Sequence, residues 1–88
     1  MIYTIAYEIR DEQRLSQLLS RINELGDNIQ YLSNSVFLQN DNTTANQLYD
    51  DLRKITADED RLLITQVSKS ELMGWLNSNA VNWIREHN

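Results

Sequence analysis

Apolar and polar positions alternate from the start of the chain, with Tyr3, Ile5, Tyr7 and Ile9 on one side of an extended segment and Thr4, Ala6 and Glu8 on the other. That pattern predicts a central strand with one core face and one face of small residues that ends in a lone carboxylate. After Arg10 the period lengthens. Leu15, Leu18, Leu19, Ile22 and Leu25 recur at helical spacing, with Asp11 as the N-cap and Gly26 just past the end. Two short β-rich runs follow, Ile29-Gln30-Tyr31-Leu32 and Ser35-Val36-Phe37-Leu38-Gln39, which make either a hairpin or one long strand bulged at Ser33-Asn34. The polar loop Asn40 to Thr44 offers Thr43 or Thr44 as cap for a second helix carrying Ala45, Leu48, Tyr49, Leu52 and Ile55. Arg61 to Val67 then reads as a fourth strand, apolar on both faces: Leu63, Thr65 and Val67 on one, Leu62, Ile64 and Gln66 on the other.

Each helix follows one strand and precedes another, so residues 1–67 read as a β-α-β-β-α-β core. This is an α+β, ferredoxin-like sandwich of four antiparallel strands with both helices on one face. The free face of the fourth strand then needs a second cover, either the C-terminal extension 68–88 or another copy. Within that extension, Ser68-x-x-Glu71 is a possible capping box for one long helix bearing Leu72, Leu76, Ala80, Trp83 and Ile84. Gly74 and the Asn77-Ser78-Asn79 cluster favour a different reading. Leu72 to Leu76 is then a short fifth strand, and Ser78 caps a final helix containing Val81, Trp83 and Ile84. Trp75 and Trp83 both need cover, from the chain's own sheet or across an interface.

A domain of 88 residues buries only about 60–65% of the surface of its unfolded chain. With no cysteine, neither disulfides nor thiolate zinc sites can reinforce it, which leaves association with a second copy. The chain shows no basic-then-apolar leader and no long apolar run, so neither a signal peptide nor a membrane span is expected, and the expected location is the cytoplasm. Thirteen acidic against eight basic side chains give a net charge of −5, a sign that opposes general attraction to nucleic acid. Arg10, Arg14 and Arg21 nevertheless share one flank at spacings of four and seven and form a candidate phosphate-binding stripe.

The single histidine, His87, is penultimate and expected to fray, so no Ser/His/Asp or Cys/His arrangement can form. With only Gly26 and Gly74, there is no glycine-rich phosphate loop. Carboxylate chemistry remains, which suits hard divalent cations such as magnesium. Glu8 is the candidate catalytic and metal-binding residue, because a dimer that set it beside its symmetry mate would pair two carboxylates. The plainer reading places Glu8 at the solvated end of its strand. Asp58-Glu59-Asp60 is expected to be a solvated acidic turn.

Three motifs in this order of elements carry a family resemblance: Ala6-Tyr7-Glu8-Ile9 ending the first strand, Ser35-Val36-Phe37 after the first helix, and Asp58-Glu59-Asp60 before the last strand. Over residues 2–67 the chain resembles the small CRISPR-associated adaptation subunits, the virulence-associated protein D toxins and the SinR-like proteins. The tryptophan-containing tail resembles the SinR-like branch. The resemblance implies a homodimer with facing sheets and the strand-one acid near its axis. It implies either a magnesium-dependent endonuclease acting on RNA or double-stranded DNA, or a structural role in spacer acquisition. By position, Glu8 corresponds to the metal-binding acid, and Ser35 and Phe37 to residues lining the cleft and interface, which Trp75 and Trp83 would extend. The chain has glutamate where that family has aspartate, and Leu38-Gln39 where an acidic residue and glycine are usual. The alternative function is a non-catalytic dimeric protein-interaction module.

Overall fold

The computed structural model describes residues 1–87. Strand β1 (Ile2–Glu8), helix α1 (Glu12–Leu25), strands β2 (Asn28–Leu32) and β3 (Ser35–Gln39), helix α2 (Ala45–Arg53) and strand β4 (Arg61–Val67) follow in the expected order. A short 3₁₀ turn, Lys69–Glu71, and helix α3 (Ser78–Glu86) complete the chain. The sheet is antiparallel throughout with strand order β2-β3-β1-β4, so β1 lies between two partners.

Local chemistry sets the boundaries. The Asp11 side chain accepts the Arg14 amide at 2.9 Å and caps α1, and Thr44 caps α2 by accepting the Gln47 amide. Gly26 ends α1 where the chain passes hard against β3: a Cβ there would stand 2.2 Å from the Gln39 carbonyl oxygen. The hairpin reading of residues 29–39 is the one adopted, with Ser33-Asn34 as its tip. Neither tip residue takes a positive φ, and a bulge between Gln30 and Leu32 restores the pairing beyond the turn.

The main core lies between the sheet and the first two helices. Tyr3, Ile5 and Tyr7 of β1, with Val36 and Leu38 of β3, meet Leu18, Ile22, Leu48 and Leu52, and Leu62 and Ile64 of β4 pack at its edge. The apolar stripe expected of α2 is narrower than its sequence: Tyr49 points to solvent, and Ile55 lies beyond the helix end while still packing on the core. On the opposite sheet face, Ile2 and Phe37 form a second cluster with Trp83 of α3, joined by Ile29, Tyr31, Val67, Leu76 and Ile84.

The tail departs from its expected form. Leu72 to Leu76 makes no strand, and neither the long helix nor the capping box at Ser68 forms; residues 69–71 make one 3₁₀ turn without a side-chain cap. The segment lies on the sheet face opposite α1 and α2, where Leu72 to Leu76 line a groove with Tyr31, Leu32 and Val67 instead of adding to the β4 edge. Asn77, not Ser78, caps α3 by accepting the Ala80 amide at 2.9 Å. His87 is not frayed. Its ring stacks on Trp83 at 3.9 Å, and its Nε2 lies 2.6 Å from Asp27 Oδ2.

Candidate functional site

Strand alternation sends Ile2, Thr4, Ala6 and Glu8 to the side of β1 opposite α1 and α2. Their register partners are Gln39, Phe37 and Ser35 on β3, and Val67, Thr65, Leu63 and Arg61 on β4. Helix α3 covers the half around Ile2, Phe37 and Val67. The half around Ala6 and Glu8 stays open, and there Leu63 is 64% exposed.

An open concavity of about 430 Å³ at this end is lined by Ala6, Glu8, Asn34, Arg61 and Leu63, with Tyr7 and Leu62 at its margin. Asn34 reaches it because the hairpin tip is tied to β1, its carbonyl accepting the Tyr7 amide at 3.0 Å. Burial pushes the Tyr7 phenol up, away from ionisation. Glu8 is more than half exposed, and among the described residues it pairs with Arg10 alone, at 3.3 Å. The Arg61 guanidinium donates to the carbonyls of Asp58 and Asp60 at 3.2 and 2.9 Å, so it is anchored to the turn before its own strand.

Beneath this rim lies a residue whose role the sequence did not reveal. The turn of residues 58–60 is solvated at Asp58 and Glu59, but the Asp60 side chain is wholly buried. Its carboxylate accepts the Arg10 and Ala57 amides, each at 2.9 Å, and the Arg14 Nε and Nη2 at 2.9 and 3.1 Å. The Arg14 hydrogen bonds hold this carboxyl far below the usual range against the cost of burial, with the two amides assisting. Asp60 therefore ties the β1–α1 turn, two residues beyond Glu8, to the α2–β4 turn. The sequence carried no local sign of this: Asp60 is one of three adjacent acids, and the strand it precedes alternates exposed and half-buried residues.

The stripe of three arginines is largely engaged within the fold. Arg14 is bound to Asp60. Arg21 pairs with Asp51 through two bonds of 3.1 and 2.8 Å and with Glu24 at 3.2 Å, and the Asp51 hydrogen bond leads in raising its pKa. Only Arg10 keeps a mostly exposed guanidinium. Of the residues expected at an interface, Ser35 is buried beside β1, Phe37 stacks on Tyr31 at 3.8 Å, and Trp83 is buried over the chain's own sheet. Trp75 is 99% exposed and Met73 95%. They flank a groove of about 380 Å³ whose other walls include Tyr31, Leu32 and Val67.

Among the described residues, no three His, Cys, Asp or Glu side chains stand together as a metal-binding group, and no helix is long and apolar enough to cross a membrane. Residues 1–73 match the family model described as CRISPR associated protein Cas2. The crystal structure of a hypothetical protein, TT1823, from Thermus thermophilus shares the fold with a TM-score of 0.65 at 22% identity, over 86% of this chain and 93% of that one. No curated protein matches significantly.

Proposed function

The chain belongs to the CRISPR-associated Cas2 family, and from that premise we propose a homodimeric, adaptation-type subunit in which the sheet faces opposite α1 and α2 meet at their uncovered ends and bring the Glu8 carboxylates of two copies together. One observation carries this reading. Glu8 stands at the uncovered end of that face, beyond the small Thr4 and Ala6 on its side of the strand, next to an exposed Leu63 that needs cover. Glu8 is the single carboxylate among the residues lining this end of the face, so magnesium fits the site when a second copy supplies the matching acid. Bound there, magnesium would supply the Lewis acidity that activates water against a phosphodiester of RNA or double-stranded DNA. Glu8 would hold the ion, and Arg10, the exposed cation nearest Glu8, would meet the phosphate.

The test is cleavage of RNA and duplex DNA with and without magnesium. Parent activity that disappears in Glu8→Ala supports the reading, and Glu8→Asp, which shortens the arm to the family's usual acid, should change the rate by up to about a hundredfold. An inactive parent, or a Glu8→Ala variant that cleaves as well as the parent, removes it.

A second reading has its own support. Arg14 and Arg21 spend their donors inside the fold, the net charge is −5, and Trp75 and Met73 project into solvent. These features favour a non-catalytic dimeric module that binds protein, and a parent that dimerises but never cleaves would select it.

A further inference from the structure

We propose that α3 is a pH-sensitive cover over the aromatic half of the sheet face opposite α1 and α2, latched by His87 against Asp27. This rests on the tail's own geometry and is independent of any nuclease activity. The family match ends at residue 73, so α3 lies outside it.

His87 follows the last residue of α3, and its ring lies between two acceptors. Nε2 is 2.6 Å from the Asp27 carboxylate in the α1–β2 turn, and Nδ1 is 2.8 Å from the Trp83 carbonyl. Neither partner can donate. A neutral imidazole has one N–H and satisfies only one of them, whereas the imidazolium satisfies both. The ring also lies flat on Trp83, at 3.9 Å and 13°, where a cation gains from the indole face. Trp83 in turn lies parallel to Phe37 at 6.2 Å, and Phe37 to Tyr31 at 3.8 Å, so the charge closes a column of rings that runs down to the sheet.

The surrounding charges favour the same state. Asp27 faces the ring from the α1–β2 turn, and Glu86 adds negative potential from α3 itself. From the 3₁₀ turn, the Lys69 ammonium donates to the His87 backbone carbonyl. The sheet beneath presents the apolar Ile2, Phe37, Ile29 and Val67 and the ring of Tyr31. Burial opposes the His87 charge, but the bonds to Asp27 and the Trp83 carbonyl outweigh it and raise the group above its ordinary 6.5. Asp27 is lowered, chiefly by the His87 hydrogen bond; the Trp83 indole N–H also favours its charge, although it is buried without a formed hydrogen bond. The latch is thus fully made below about 6.5 and is lost as pH rises through the raised His87 value, docking weakening by at most about tenfold per pH unit.

His87 is the only histidine, so its ring resonances titrate alone in the full-length protein. In a Trp75→Phe chain, Trp83 is the sole tryptophan and reports on the stack. The expected result is a His87 midpoint above 6.5, with Trp83 emission and α3 amide shifts following that midpoint. Asp27→Asn should bring the His87 and α3 transitions down together. His87→Gln should leave α3 without a transition between about pH 6 and 9. A midpoint at or below 6.5, α3 signals that stay flat while His87 titrates, or a transition that survives His87→Gln would overturn the latch.

Discussion

Asp60 accepts two amides and both arms of Arg14 from a side chain with no solvent contact, and losing it strands those donors at once. Asp60→Ala should therefore lower the melting temperature by on the order of 10 °C, read by thermal unfolding at neutral pH, because buried donors are left unpaired. The sign of the pH dependence follows from the lowered pKa. Asp60 contributes fully above the ordinary 3.8 of an aspartate and loses its contribution as pH falls through its lower folded value. The difference between parent and variant should accordingly be flat at neutral pH and shrink only under acid. Glu8, by contrast, is exposed and, among the described residues, paired with Arg10 alone, so its removal should leave the melting temperature nearly unchanged. That contrast separates a residue that holds the site from one that is free to act in it. Asp11 and Thr44 were legible as caps because the cap signal is local. Asp60 was not, because its burial depends on Arg14, 46 residues away in sequence.

At the scale of elements, α3 belongs to a cluster separate from the main core: Trp83 meets Ile2 and Phe37, while the helices α1 and α2 pack on the other face. Trp83→Ala should therefore free the tail without dissolving the sandwich. Removing a buried tryptophan costs about 3–5 kcal/mol, and a nine-residue helix that loses its anchor is marginal by itself. In hydrogen exchange, the α3 amides should lose protection while those of β1 and β3 keep theirs; simultaneous loss at all sites would mean one cooperative core. The helices could be read from periodicity because each buries one stripe, and β1 because Tyr3, Ile5 and Tyr7 alternate into the main core. The tail could not. Gly74 and the asparagine cluster showed an interrupted helix, but Leu72–Leu76 has strand composition and yet pairs with neither edge strand, lying instead against Tyr31, Leu32 and Val67.

The whole molecule presents one half-covered sheet face and an exposed tail, and the two prompt a single experiment. If two copies meet through these features, light scattering should give twice the chain mass, and Trp75→Ala, which removes a fully exposed ring and leaves the fold's contacts intact, should shift the mass towards that of one chain. A chain that stays single at every concentration would remove the paired Glu8 site. The sequence by itself determined the order of elements, the antiparallel sandwich and the placing of Glu8 at the end of a strand face, beyond the small Thr4 and Ala6. Those features rest on periodicity and capping, which act over a few neighbouring residues. Only the tertiary structure decided that Asp60 is an anchor, that Arg14 and Arg21 are engaged, that Trp83 is covered while Trp75 is not, and that His87 is docked on Asp27. Each of these depends on which distant side chain arrives to share a burial site or a charge, and no local pattern carries that information.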